Sequence, residues 1–195
     1  SDGEDDSVSG GDISAMANQI VAHAEVRAQE YQELKKEAKK YADAQEVARR
    51  AQEMKEETTR IREKALKEAA KRKEEKRVAK RQEVADFAVQ FVGNPYVWGG
   101  SSLTNGADCS GFVMSVFASF GYALPRVAAA QYGASVKKDL SHMEVGDLVF
   151  YGNGISHVAL YIGNGKVVHA LNSNKGIVIT DYNYDTPVGV GTYME

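Results

Sequence analysis

Neither glycine nor proline occurs between Gly11 and Gly93 in this chain of 195 residues. The stretch is instead rich in Ala, Glu, Lys, Arg and Gln, which have high helix propensity. Asp12 can serve as an N-cap, and the acidic residues at positions 2–6 suit the positive end of a helix dipole. We therefore predict an acidic flexible N-terminus over residues 1–11, followed by a long charged helix or helical hairpin over residues 12–83.

Along this helix, apolar residues recur at steps of three and four, as in a coiled coil. The stripe consists of Ile13, Ala17, Ile20, Ala24, Tyr31, Leu34, Ala38, Tyr41 and Ala48. Arg27 and Gln45 interrupt the stripe, which makes the coiled-coil-like seam a thin one. A helix this polar needs a partner surface to be stable. That surface is a second copy, a fold-back near Asp43 or Thr58–Thr59, or the second half of this chain.

Charge is distributed unevenly along the chain. Residues 1–83 carry 19 Lys+Arg and 19 Asp+Glu, whereas residues 84–195 carry 5 and 8. Within the helix, residues 60–81 hold eleven Lys+Arg against four Asp+Glu. This excess of positive charge has two interpretations. The stretch is either attracted to an anionic wall polymer, or it is a solvated helix face with Glu–Lys pairs. The net charge of −3 gives no reason to expect a nucleic-acid partner.

Residues 84–195 have the pattern of a separate α+β domain. "VADFAVQFVG" (84–93) and "CSGFVMSVFASFGY" (109–122) read as core-facing helices. Short β-rich runs follow, separated by turn residues: "DLVFY", "SHVALYIG", "KVVHAL", "GIVITDY" and "VGVGTYM". Helices first and antiparallel strands afterwards predict a segregated α+β fold.

The single cysteine of the chain, Cys109, opens the second of these helices. Asp108 can cap that helix, and the helix N-terminus then favours a thiolate over a thiol. A reactive cysteine also needs a proton acceptor, normally a histidine. The alternative is a buried, inert thiol, which is a common environment for free cysteine. Metal-ligand spacing is absent among Cys and His, so neither a metal nor another cofactor is expected.

Two histidines, His157 and His169, lie on neighbouring predicted strands joined by a hairpin. A two-residue loop at Asn164–Gly165 would put them on opposite faces. A three-residue loop over residues 163–165, with Gly165 in the left-handed region as a G1 bulge, would oppose Ala159 and His169. His157 and His169 would then share one face, so a common site requires the bulge.

Five ordered motifs in residues 84–195 resemble those of NlpC-type cysteine peptidases, named after NlpC and the p-sixty protein. They are "NPYVWGG", "ADCSGFV", "LPR", "GDLVFY" and "SHVALYIGNGKVVHA". The resemblance implies a papain-like fold with Cys109 as nucleophile, His157 as general base and then acid, and His169 as the residue that orients His157. It also places Tyr96 beside the nucleophile, where its hydroxyl and the Cys109 N–H can hold an oxyanion.

The family's usual substrate is the stem peptide of bacterial peptidoglycan, cut between γ-linked D-glutamate and the diamino acid. The resemblance therefore implies export to the cell wall. Asp108 and Ser110 are the candidates for binding the free amine of the stem, although Asp108 has the alternative role of a helix cap alone. Arg126 is a candidate for a substrate carboxylate or for a structural role.

Three functions remain open at this level. The first is a peptidoglycan endopeptidase, the second an amidase or acyltransferase on the same scaffold, and the third a catalytically silent wall-binding or scaffold protein that uses the helix. For the first, we also hypothesise that part of residues 12–83 docks over Cys109 and blocks it. The steps at Tyr31, Leu34, Ala38 and Tyr41 motivate this hypothesis.

Overall fold

The computed structural model describes residues 10–195, which divide into two compact units between Lys67 and Glu68. Helix α1 is Gly10–Val89. The helix thus begins two residues before its predicted start, and the predicted N-cap Asp12 lies inside the first turn. The acidic cluster at positions 2–6 lies outside the described residues.

Helix α1 continues unbroken through Asp43 and Thr58–Thr59, so the chain does not fold back at either place. Within residues 10–67 its side chains are almost all exposed. Local ion pairs lie along this exposed helix, as between Arg49 and both Glu46 and Glu53. Such exposed pairs contribute little to stability, because solvent screens the two charges. The described helices include none long and apolar enough to cross a lipid bilayer.

The second unit combines the end of α1 with short helices and an antiparallel sheet. The other elements are β1 Ser101–Ser102, β2 Gly106–Ala107, α2 Cys109–Ala118, α3 Ala128–Ala134, β3 Val136–Lys138, β4 Leu148–Tyr151, β5 His157–Gly163, β6 Lys166–Ala170, β7 Ile177–Asp181 and β8 Pro187–Thr192. A 3₁₀ turn at Leu140–His142 precedes β4. The six-stranded sheet has the order β3-β8-β4-β5-β6-β7, and every neighbouring pair is antiparallel.

One face of this sheet packs on α2 and on the last turns of α1. Phe112 and Phe117 of α2 are fully buried against the sheet residues Phe150, Leu160 and Val168. A smaller apolar cluster occupies the opposite face: Val149, Tyr151, Ala159 and Val167. The N-terminus of α2 is thereby fixed beside the beginning of β5.

The β5–β6 hairpin has the predicted register but a different turn. Leu160 pairs with Val168, which puts Ala159 opposite His169. The loop is a two-residue turn, in which Asn164 (φ 54°) and Gly165 (φ 73°) are both left-handed, as in a type I′ turn. The bulge lies between Tyr161 and Gly163 instead of at Gly165. The three-residue loop was therefore wrong, although its consequence for the two histidines is right.

The end of α1 is attached to the sheet by a buried arginine. Arg81 is 3% exposed, and its guanidinium lies 2.8 Å from Asp147 Oδ1 and 3.1 Å from Thr192 Oγ1. It also donates to the carbonyl oxygens of Val145 and Met194. The compact unit therefore begins before residue 84, the start predicted from composition.

Candidate active site

Cys109 is the first residue of α2, and Asp108 is its N-cap. The Asp108 carboxylate accepts a hydrogen bond of 2.7 Å from the Gly111 N–H, as predicted for a capping residue. Gly111 allows this helix to approach the preceding loop, because a Cβ there would lie 2.1 Å from the Gly100 carbonyl oxygen. The "DCSG" sequence thus fixes the position of the thiol through both a cap and a close backbone contact.

The thiol itself is buried and protonated at rest. Burial raises the pKa of Cys109, and the nearby Asp108 charge acts in the same direction. The backbone N–H of Val158 on β5, and those of Ser110 and Cys109 at the helix start, only partly oppose this rise. Desolvation thus opposes the thiolate that the helix N-terminus was predicted to favour. The Sγ atom lies 3.9 Å from the Ser156 carbonyl oxygen, which can accept its proton in a weak hydrogen bond.

The two histidines form a direct pair. His157 Nε2 lies 2.7 Å from His169 Nδ1, and His169 Nε2 lies 3.0 Å from Thr180 Oγ1. Burial lowers the pKa of His157 to about 4, with the Asp185 carboxylate opposing. Burial and the neighbouring His157 lower the pKa of His169 to about 3. Both rings are therefore neutral at pH 7, so the resting site holds a thiol and two imidazoles without an ion pair.

A cavity of about 620 Å³ brings most of the predicted residues together. Cys109, His157, Tyr96, Asp108, Ser110 and Arg126 all line it, whereas His169 stands behind His157 and is fully buried. Trp98 is 86% exposed at the cavity, with Val127 as another apolar residue of its lining.

Tyr96 is held next to the cysteine by backbone pairing with Ala107. Burial, then the nearby Cys109 and Asp108, raise the pKa of its phenol. The hydroxyl therefore keeps its proton across the neutral range. A protonated phenol is a hydrogen-bond donor, as a group that holds an oxyanion must be.

Asp108 and Arg126 form a bidentate ion pair at the wall of the cavity. The two guanidinium nitrogens of Arg126 lie 2.9 and 2.8 Å from the two Asp108 oxygens. Arg126 also donates to Ser110 Oγ and to the Gly100 carbonyl oxygen. Burial acts to raise the pKa of Asp108, but the guanidinium and the Gly111 and Gly99 N–H groups hold it below its usual value. This geometry favours a capping role for Asp108 and a structural role for Arg126.

The loop before His157 has an unusual backbone. Ile155 has φ 58°, a left-handed conformation that β-branched residues rarely adopt. Gly152 also has a positive φ, and a Cβ there would lie 2.1 Å from Ser156 Oγ. The Ser156 N–H is bonded to the Tyr151 carbonyl at 3.0 Å, which closes the loop. After this tight turn, both Ile155 and His157 line the cavity.

Several residues of the site were not predicted. Thr180 meets His169 from β7, and Tyr184 places its ring 5.0 Å from that of His169 and 6.4 Å from that of His157. The signal for Thr180 was strand alternation, because it stands two residues beyond Val178, the partner of His169. Tyr184 lies in the turn before β8, where no periodic pattern applies.

The lowered histidine pKa values predict how stability depends on pH. The folded protein binds fewer protons than the unfolded chain between pH 6.5 and about 4, so the free energy of unfolding falls as pH drops through this window. Urea denaturation from pH 7 to 4 should show this slope, and a His157→Gln/His169→Gln double variant should lose it. Both proteins should keep the loss below pH 4.5 that comes from Glu144, whose pKa is lowered to about 2 by Arg77 and Lys138. If the unfolding free energy of the double variant depended on pH as it does in the wild type, the two histidines would not be buried in their neutral form.

Comparison with known proteins agrees with this geometry. A statistical description of the NlpC/P60 family matches residues 93–188, from the loop after α1 to the start of β8. The solved peptidoglycan hydrolase RipB of Mycobacterium tuberculosis superposes with a TM-score of 0.53 at 31% identity, over 60% of this chain and 68% of that one. The chain belongs to the NlpC/P60 family. The predicted α+β, papain-like fold is thereby confirmed, and the chain is a member of a cysteine peptidase family.

Two curated relatives of this NlpC/P60 domain come from Bacillus subtilis. A gamma-D-glutamyl-L-lysine dipeptidyl-peptidase is 46% identical over 94 residues, which are 46% of this chain and 31% of the relative. A bifunctional muramidase/DL-endopeptidase, CwlT, is 42% identical over 99 residues, which are 48% of this chain and 30% of the relative. The chain thus spans less than a third of the length of each relative.

Proposed function

We propose that this NlpC/P60 domain is an endopeptidase that cleaves the bond between γ-D-glutamate and the diamino acid of peptidoglycan stem peptides. The observation that carries the proposal is the placement of Cys109 and His157 in one cavity, with the His157 ring bonded to His169 at 2.7 Å. The peptidase activities in the names of the two Bacillus subtilis relatives support the same bond class. The family's substrate also leads us to propose that the protein acts outside the cell, at the bacterial wall.

In the proposed reaction His157 takes the proton of the Cys109 thiol as Sγ attacks the γ-carbonyl carbon of D-glutamate. The tetrahedral intermediate collapses when His157 returns the proton to the amine of the diamino acid, and the C–N bond breaks. Water, deprotonated by His157, then attacks the thioester, and the carboxylic acid and the thiol are released. His157 acts as base and acid in turn, and its lowered pKa of about 4 leaves the ring neutral at pH 7, the state in which it can accept the thiol proton.

The negative oxygen of each tetrahedral intermediate needs donors that are in place beforehand. We propose the Cys109 N–H and the Tyr96 hydroxyl. The first N–H groups of a helix have no acceptor within that helix, and Cys109 is the first residue of α2. Tyr96 lines the same cavity and retains its proton.

For the free amine of the stem, we propose Asp108 and Ser110 as the binding pair. Among the described residues that line the cavity, Asp108 is the single carboxylate. Its oxygens already accept hydrogen bonds from Arg126, Gly111 and Gly99, so an incoming amine has to share them. Arg126 then acts by holding this carboxylate in place, and a direct contact of Arg126 with a substrate carboxylate requires that it release Asp108.

The test is digestion of purified stem tripeptide and tetrapeptide by the full chain, with mass spectrometry of the products. The proposal expects an L-alanyl-D-glutamate fragment and release of the diamino acid with its free amine. Products cut at another amide bond would instead indicate an amidase or acyltransferase on the same scaffold. Intact peptides under conditions in which the protein is folded would contradict the proposal.

We further propose that the long helix limits the activity of the domain. The motivating residues Tyr31, Leu34 and Tyr41 are 62%, 65% and 68% exposed on α1. If they block the site, a fragment of residues 68–195 should cleave soluble stem peptide at least several-fold faster than the full chain. That fragment keeps Arg81 and so retains the buried contacts of the helix end. Equal rates of the two proteins would remove this proposal.

The basic stretch 60–81 has fewer available cations than its composition indicates. Arg81 is buried, and Arg77 is paired with Glu144 at 2.6 Å. Arg60 and Lys71 also have carboxylate partners within α1. We propose that the remaining lysines and arginines attract anionic wall polymer weakly. Binding of the full chain to purified teichoic acid that persists above about 0.5 M salt would contradict a purely electrostatic attraction.

A further inference from the structure

We propose that Thr180 is a positioning residue that sets the proton arrangement of the histidine pair and so keeps His157 able to act as the base. The inference rests on the proposed cysteine-peptidase function of this site. It concerns a residue on β7 that does not line the cavity and does not touch the thiol.

Three contacts form a continuous chain away from the cavity. His157 Nε2 lies 2.7 Å from His169 Nδ1, and His169 Nε2 lies 3.0 Å from Thr180 Oγ1. The Thr180 hydroxyl in turn donates to the carbonyl oxygen of Asp181 at 3.1 Å. His169, the central member, is fully buried, so water does not compete for its nitrogens.

Proton counting gives this chain a direction. The Thr180 hydroxyl has one proton, and the Asp181 carbonyl can only accept, so the proton points to Asp181 and the hydroxyl oxygen accepts from His169 Nε2–H. A neutral imidazole has one ring proton, which leaves His169 Nδ1 as an acceptor. The short contact to His157 therefore needs the proton on His157 Nε2. His157 Nδ1 is left with a free lone pair, the state that can accept the Cys109 proton.

The opposite arrangement would disable the base. If Thr180 donated to His169 Nε2, then His169 Nδ1 would carry the proton and donate it to His157 Nε2. The single proton of neutral His157 would then sit on Nδ1, and that nitrogen could not take a proton from the thiol. Burial keeps both rings neutral near pH 7. The direction in which the Thr180 hydroxyl donates therefore decides between the two arrangements.

The strand register explains why Thr180 occupies this place. His169 pairs with Val178 and Val167 pairs with Thr180, so Thr180 lies diagonally across from His169 on the same face of the sheet. The other groups around the pair are the rings of Tyr151 and Tyr184 and the carboxylate of Asp185. The tyrosines are neutral because burial raises their pKa values, that of Tyr184 to about 12.

The test compares Thr180→Val, which removes the hydroxyl at nearly constant volume, with Thr180→Ser, which restores it. Thr186→Val, at an exposed threonine of the next loop, is the matched control. In full-length protein labelled with ¹⁵N-histidine, the ring resonances report which nitrogen of His157 is protonated. We expect the Nε2-protonated form in the wild type, in Thr180→Ser and in the control, and a mixture of both forms in Thr180→Val.

With stem peptide as substrate, Thr180→Val should lower kcat about 10-fold with KM unchanged. The reason is that a single neutral hydrogen bond, from His169 to Thr180, favours the active tautomer of His157 over the inactive one. Thr180→Ser should recover most of this loss. An unchanged His157 tautomer in Thr180→Val, or a serine variant as slow as the valine variant, would overturn the inference. If the tautomer shifts as expected while the wild type leaves stem peptide uncut, Thr180 keeps its role and the proposed substrate fails.

Discussion

Replacing Cys109 with alanine is expected to lower kcat for stem-peptide cleavage on the order of 10⁶-fold, the size of effect that follows removal of the nucleophile from a covalent triad. The proposed reaction passes through a thioester, so without Sγ the remaining groups can only polarise the amide and orient water. The fold should be little affected, because the substitution removes one sulfur atom, whose contacts are a weak one of 3.9 Å to the Ser156 carbonyl oxygen and those with nearby backbone N–H groups.

The measurement is the single-turnover rate on stem tripeptide, with the thermal unfolding midpoint recorded for each variant. Ser119→Ala is the matched control, since it removes an exposed hydroxyl from the end of α2 and leaves the site intact. A Cys109→Ala variant that retains more than about 1% of the wild-type rate would show that the cysteine is not the nucleophile.

Replacing Arg81 with alanine is expected to lower the free energy of unfolding by about 3 kcal/mol. The side chain is 3% exposed and pairs with Asp147, which is fully buried. Its loss would leave Oδ1 of Asp147 without the arginine and would remove one of the donors to the Met194 carbonyl, which keeps the Thr192 hydroxyl. Lys138 still pairs with Oδ2 at 2.7 Å, which keeps the cost at the lower end for a broken buried ion pair.

Urea denaturation at pH 7 checks this value. Arg72→Ala is the control, because Arg72 lies on the exposed part of the same helix and its removal should change the free energy by less than about 0.5 kcal/mol. Equal effects of the two substitutions would mean that the end of α1 is not an integral part of the folded unit.

The sequence contained a local signal for each feature that was predicted well. The cap at Asp108 and the buried face of α2 follow from residue type and spacing within a few positions. The register that joins His157 and His169 on one face follows from the two-residue period of a strand. The turn that sets this register was wrong because two different loops, with a bulge at either of two places, produce the same pairing.

Tertiary burial accounts for what was missed. Arg81 lies on the same face of the helix as the buried residues Val84, Ala85 and Ala88. Its charge and its basic neighbours nevertheless led to the prediction of a solvent-exposed side chain. The pKa of Cys109 is the net result of a helix terminus, visible in the sequence, and of burial, which is not. Thr180 was overlooked because its role depends on a histidine contact across two strands.

The most direct test of the central claim is intact-protein mass spectrometry of the full chain, quenched in acid within the first turnover on stem tripeptide. The account predicts a transient mass increase equal to one L-alanyl-D-glutamyl group, located on Cys109 by peptide mapping and absent from Cys109→Ala. Cleavage of the γ-D-glutamyl bond without such an adduct, or with the adduct on another residue, would contradict the assignment of Cys109 as the nucleophile.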